Sequence, residues 1–280
     1  MTAATDGETI LIGRGSSSRG TGIPRRPKTS RSIRAAQIVS VIVILGAWQL
    51  ADNRVFPNYL ISSPSNVVQK LISLLSTATM WRNIGATAEE LALGYLLGVV
   101  SGVIFGVGLA YWRVAGATFE PLITVINGIP KIALAPLLLI WFGLGLASKV
   151  AIASMTVFFV MFYNSYLGVR SMPNDLVEVV KLMGGGRSVV LRKVVLPQIS
   201  TPLITGLRSA VPFAMIGVIV GEFIAADKGV GYFIRNSSEN FDSASVFAGI
   251  VILVLMIIVG TGIISLFERW VMPWRTYQDE

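Results

Sequence analysis

Apolar residues gather into six long runs, at 35–51, 91–111, 121–142, 149–168, 202–225 and 246–267. Each is close to the ~20 residues that cross a hydrocarbon core of ~30 Å. None shows the two-residue alternation of a barrel strand, and lipid admits only helices and closed barrels. The pattern predicts an all-α membrane bundle of about six spans. One polar, basic island, 170–201, separates the fourth and fifth runs. Inside it Leu176, Val177, Val180 and Met183 recur at helical steps, and Val189, Val190 and Val194 do so after Gly184, Gly185 and Gly186. Two short helices hinged at those glycines would protrude on one side as a docking feature.

The other runs carry their own punctuation. Ser63-Pro64 opens an amphipathic helix bearing Val67, Val68, Leu71, Ile72, Leu74, Leu75 and Ala78, ended near Trp81. It is expected at the outer surface, either packed on the bundle or meeting a receptor. The second run has glycine at 94, 98, 102 and 106, a ladder that lets helix backbones approach closely in lipid. The third is the least helix-like: Asn127-Gly128 precede Pro130, Lys131 and Pro136. Each proline removes a backbone donor. Kinks alone explain the prolines; the ammonium of Lys131 inside a span favours a solute path, because such a group faces a cavity or a partner. In the fifth run Arg208 and Glu222 share a helical face but stand ~21 Å apart, so they do not pair with each other. Both fit either structural anchoring, with Arg208 snorkelling, or a pathway role.

Composition narrows the class. The 280 residues are 53% hydrophobic and only 14% charged, with a mean hydropathy of +0.70. Such a balance is foreign to soluble domains. The net charge of +8 follows topology and gives no support for nucleic-acid binding. With the N-terminus inside, 15 Lys and Arg fall in cytoplasmic segments and six outside: Arg54, Lys70, Arg82, Lys149, Lys228 and Arg235. The chain has no cysteine and no histidine, which removes thiol nucleophiles, disulfides, Cys/His metal sites and histidine bases. Residues 1–34 are rich in Gly, Ser, Thr and Arg and are expected to be a disordered cytoplasmic tail. The membrane domain is expected over 35–275, with the island inside it, and a short tail over 276–280. In the N-terminal tail, Gly15 to Thr21 has the glycine spacing of a phosphate loop but lacks the lysine and the preceding strand. No other segment resembles a nucleotide site, and no paired acids stand out within the spans.

The island resembles the signature loop of ABC importer permeases in Glu178, Gly184, Val194, Leu196 and Pro197, with Val179 and Val180 where alanines are usual. Further matching pieces are Ile129-Pro130, Ala135-Pro136-Leu137, Trp141 to Gly145, Ser148-Lys149, Gly206-Leu207-Arg208, Gly221-Glu222 and Gly229-Val230-Gly231. Over about 48–274 the chain is similar to the membrane subunit of nitrate/sulfonate/taurine-type importers. It departs at Glu90, three residues after Thr87, where the family often has Arg. The resemblance implies a type I importer fold, a permease dimer (expected to be a homodimer), two cytoplasmic ATPase subunits and an extracytoplasmic binding protein. ATP and Mg would be bound by the ATPase, and no cofactor by this chain. Asp175, Glu178, Gly184, Gly185, Arg187, Leu196 and Pro197 would serve ATPase coupling; Asn127, Pro130, Lys131, Arg208 and Glu222 would serve translocation of a small, anionic solute. The alternative is a stand-alone secondary transporter or channel.

Overall fold

The computed structural model describes residues 31–51, 61–171 and 174–271. The expected tail with its glycine cluster, the 276–280 tail and residues 172–173 of the island lie outside the described residues. The chain divides into two units, 1–46 and 47–280. The described part of the first belongs to helix α1, Arg31–Ala51, which begins inside the stretch expected to be disordered.

Every regular element among the described residues of the second unit is a helix. In order it holds α2 (Pro64–Leu75), α3 (Ala78–Tyr111), α4 (Arg113–Gly128), a 3-10 turn at Lys131–Leu134 and α5 (Ala135–Phe142). Then follow α6 (Leu146–Arg170), α7 (Asn174–Leu182), α8 (Arg187–Val190), a π turn at Leu191–Val195, α9 (Leu196–Ala225), α10 (Val230–Glu239) and α11 (Ser243–Val271). Among the described residues four helices are long and apolar enough to span, within α3, α6, α9 and α11. The pair α4 and α5 makes a fifth if counted as one broken span, bent by 81°. Against the expected six or so, the difference among the described residues lies in the first run. The apolar part of α1, Ala35–Leu50, covers only about 24 Å of helix axis at ~1.5 Å per residue, short of the ~30 Å core.

Local chemistry sets several boundaries. The helix expected to run to about Trp81 stops at Leu75, because Thr77 starts a new one, its hydroxyl accepting from the Met80 N–H. Trp81 belongs to α3 and donates its indole N–H to the Leu75 carbonyl, closing the end of α2. The apolar residues of α2 exceed one face. Val67 is buried and Leu71 and Leu74 pack on the core, while Val68 and Ile72 remain exposed. The break in the third run falls at Ile129-Pro130, and Pro136 opens α5 in its first turn, where its missing donor does no harm.

Three helices, α3, α6 and α9, form the slab on which the rest is arranged. A Cβ added to Gly94, Gly98, Gly102 or Gly106 would lie 2.5–2.8 Å from the Cβ atoms of Ala153, Val157, Met161 and Ser165 in turn. The seam advances four residues at a time on both helices, so α3 and α6 run parallel, backbone against backbone. Helix α9 crosses α6 in the opposite sense: Pro202 faces Gly168, Gly206 faces Asn164, Gly217 faces Ala153 and Gly221 faces Lys149. One end of the slab leads into α7; the other carries α10.

Candidate functional site

At the α10 end of α3 the packing face turns polar. Asn83, Thr87 and Glu90 precede Gly94 on the same stripe, four, three and four residues apart. All three side chains are buried, and with them Lys149 of α6 and Glu222 of α9. Lys149 donates to Glu90 Oε1 at 2.7 Å. Thr87 Oγ1 donates to Glu222 Oε1 at 2.7 Å. Glu90 and Glu222 lie near enough to act on each other, and Lys228 acts on Glu90 as well. Glu90 Oε2 is buried without a hydrogen-bond donor among the described residues.

The remaining valences go to the first turn of α10. Helix N-termini leave backbone donors without an intrahelical partner. Here the Gly229 N–H donates to Asn83 Oδ1 at 3.1 Å, the Val230 N–H to Thr87 Oγ1 at 2.9 Å, and the Gly231 N–H to Glu222 Oε2 at 2.5 Å. A carboxylate at that end also meets the positive pole of the helix. Gly229 has φ +119, and a Cβ there would strike the Glu222 carboxyl. Glycine is the residue for both reasons. The return contact is made by Arg235 of α10, which donates to the carbonyls of Phe223 and Ala226 at the end of α9, at 2.7 and 3.4 Å. Each helix thus places a charge of the favourable sign at the other's terminus.

One reading of the sequence is corrected here: paired acids do occur within the spans, as Glu90 and Glu222. Lys149, counted among the outer residues, is buried near the start of α6. The signal was the spacing of Asn83, Thr87 and Glu90 on one stripe, together with a lysine three residues into α6. What hid it was that the partners come from three helices far apart in the chain.

The residues expected to serve translocation are not brought together. Lys131, half-buried, donates to the Asn127 carbonyl and to Asn127 Oδ1 at 3.0 and 2.9 Å, and lies 4.7 Å from the ring centroid of Phe159. It caps the broken end of α4, just before Pro130. Arg208 pairs with Glu268 of α11. Glu222 is wholly enclosed in the α10 cluster.

The island has a defined backbone. Helix α7 carries Asp175 in its first turn and Glu178 one turn on, both exposed. It ends in a Schellman turn: the Gly184 N–H donates to Lys181 O at 3.0 Å and the Gly185 N–H to Val180 O at 2.9 Å. Gly184 takes φ +79, the left-handed conformation this cap requires. Gly185 is confined as well, since a Cβ would come within 2.6 Å of Val180. Leu182 and Met183, beside the cap, are 87% and 82% exposed. Arg187 begins α8, and Leu196 and Pro197 begin α9.

Residues 94–273 match the family described as "Binding-protein-dependent transport system inner membrane component". The chain is 34% identical over 239 residues to the formylaminopyrimidine transport permease protein ThiX of Halalkalibacterium halodurans, covering 85% of this chain and 94% of that one. It is 30% identical to the riboflavin transport system permease protein RibX of Chloroflexus aurantiacus, covering 85% and 89%. With the taurine transport system permease protein TauC of Escherichia coli it shares 25%, covering 88% and 91%. Among solved structures, the inward-facing MetNI methionine ABC transporter aligns with a TM-score of 0.58 at 18% identity, over 70% of this chain and 99% of that one, a likeness of fold. The chain belongs to the binding-protein-dependent inner membrane component family: it is a multi-pass inner-membrane permease of an ABC importer, distinct from the ATPase that drives it.

Proposed function

We propose that two copies of this chain form the membrane pathway of an importer, with the segment from α7 to the π turn on the cytoplasmic side as the contact for two ATPase subunits. The observation that carries this is the pair Leu182 and Met183, held out on a polar segment by a glycine-capped helix. An adjacent exposed apolar pair on a polar segment fits a protein contact. Asp175 and Glu178 border the same surface. ATP and Mg belong to the partner. Closure of the ATPase pair would move α6 and α9, the two helices that flank the segment, and so alternate access to the path. The excess of basic residues in 1–34 and in the island supports a cytoplasmic location for both.

For the solute, two readings have support. The 34% and 30% relatives are named for formylaminopyrimidine and riboflavin transport, which favours a nitrogen heterocycle. Lys131 at the broken span favours an anion, as does the weaker likeness to the taurine permease. Competition for uptake between a pyrimidine and a sulfonate separates them.

The test of the coupling reading is Gly184→Trp. Membrane insertion and permease dimerisation should stay near normal, while ATPase binding weakens or hydrolysis separates from uptake. A variant that binds the ATPase and transports at the wild-type rate would refute it. Because the chain has no cysteine, Ser188→Cys reports sidedness directly. Labelling by an impermeant reagent in intact cells would place the segment outside and defeat the assignment.

A further inference from the structure

Helix α10 has only ten residues, fewer than the ~12–15 at which an isolated helix becomes even marginal in water. Its direction therefore depends on what holds its ends. The first turn is held by Asn83, Thr87 and Glu222, and Arg235 in its middle reaches back to α9. Asn236, Ser238 and Glu239 of the same helix are exposed, while Ile234 and Ser237 face inward. Thr87 is the pivot, since one hydroxyl accepts from the Val230 N–H and donates to Glu222.

The same cluster touches all three slab helices. Asn83, Thr87 and Glu90 come from α3, Lys149 from α6 and Glu222 from α9. At the other end, α6 and α9 are the helices joined to the α7–π-turn segment. With interhelical contacts this close along the glycine seams, the slab is a contiguous packed path between its two ends.

We infer that the buried Asn83–Thr87–Glu222 contacts are the outer joint of this permease, positioning α10 on the slab so that docking of the binding protein at the α10 end is communicated to the ATPase contact at the other. This rests on the importer reading given above. The residues are positioning residues and need not touch solute. Glu90 and Lys149 brace the joint from the α6 side.

The experiment uses the assembled importer in lipid nanodiscs, with its cognate binding protein, and compares ATP hydrolysis with and without that protein. Thr87→Val removes the hydroxyl at nearly constant shape. Basal hydrolysis should remain within about twofold of wild type, whereas stimulation by the binding protein should fall by about fivefold or more, the scale of a typical coupling. Thr87→Ser should restore it. Amide exchange at residues 229–233 should quicken in Thr87→Val and return in Thr87→Ser. Wild-type stimulation in Thr87→Val overturns the inference. So does a parallel loss of basal hydrolysis and stimulation, which would make Thr87 a packing residue. Should Thr87→Val fail to assemble, Asn83→Ala, which removes only the acceptor for Gly229, decides by the same two measurements. A wild-type complex that binds no ATPase, or that the binding protein does not stimulate, would instead refute the ATPase-coupling reading proposed above.

Discussion

Lys149 meets Glu90 in the same register that carries Gly94 to Ala153, so the ion pair is the end rung of the α3–α6 seam. Both side chains are almost wholly buried, at 4% and 2% exposure. Removing one partner of such a pair strands a buried charge, which costs about 3–5 kcal/mol, while removing both is far milder. Lys149→Met should therefore lower the unfolding midpoint of the detergent-solubilised permease sharply. The double variant Glu90→Gln/Lys149→Met should recover most of that loss. Equal destabilisation of the single and double variants would mean that the two side chains act independently.

The glycine ladder supports a comparison within one helix. A Cβ on Gly98 would lie 2.6 Å from the Ser154 carbonyl, whereas one on Gly108 meets nothing within 4 Å. Overpacking of a tight contact costs about 1–3 kcal/mol. Gly98→Ala should destabilise by that amount. Gly108→Ala should be neutral or slightly stabilising, given the helix preference of alanine over glycine of about 1 kcal/mol. Thermal unfolding of the two variants in the same detergent checks the ranking.

The seam and the island were legible in the sequence because both depend on local chemistry. A four-residue glycine repeat permits close helices whatever the partner, and a glycine after an amphipathic stretch caps it. The break of the third run at Pro130 was legible for the same reason. The α10 joint was not. Asn83, Thr87 and Glu90 mark a polar stripe, but nothing local says that the Gly229-Val230-Gly231 turn and Lys149 complete it. The pairing of Arg208 was hidden in another way: its partner, Glu268, lies sixty residues on at the end of a run that reads as wholly apolar. Helix lengths were misread where a cap beyond the apolar run decided the boundary, as Thr77 does for α3.

Asp242 gives a pH-dependent contact outside the spans. Burial acts against its charge, but the hydroxyl and N–H of Ser245 and the ammonium of Lys70 outweigh it, leaving the carboxyl below its ordinary range. It caps the start of α11, accepting from the Ser245 N–H at 3.1 Å, and it meets Lys70 of α2 at 3.1 Å. A depressed carboxyl contributes stability that is present above its unfolded value and is lost as pH falls through its folded value. The stability difference between wild type and Asp242→Asn should hold steady near neutral pH and shrink on acidification below the ordinary carboxylate range. A difference that widens towards acid would contradict the sign.

Lys131 closes the broken end of α4 through the Asn127 carbonyl and the Phe159 ring. A cation at a helix C-terminus contributes about 0.3–1 kcal/mol, and up to ~2 where partly buried. That is too little to hold the permease together. Lys131→Met should accordingly leave insertion and complex assembly intact and reduce uptake. If the ammonium also attracts the solute, Lys131→Met should impair uptake of a sulfonate more than that of a neutral pyrimidine, and Lys131→Arg should keep most of the activity. Equal losses for both solutes would confine Lys131 to closing α4. Unchanged uptake would remove it from the path, and a complex that falls apart would mark it as a structural residue.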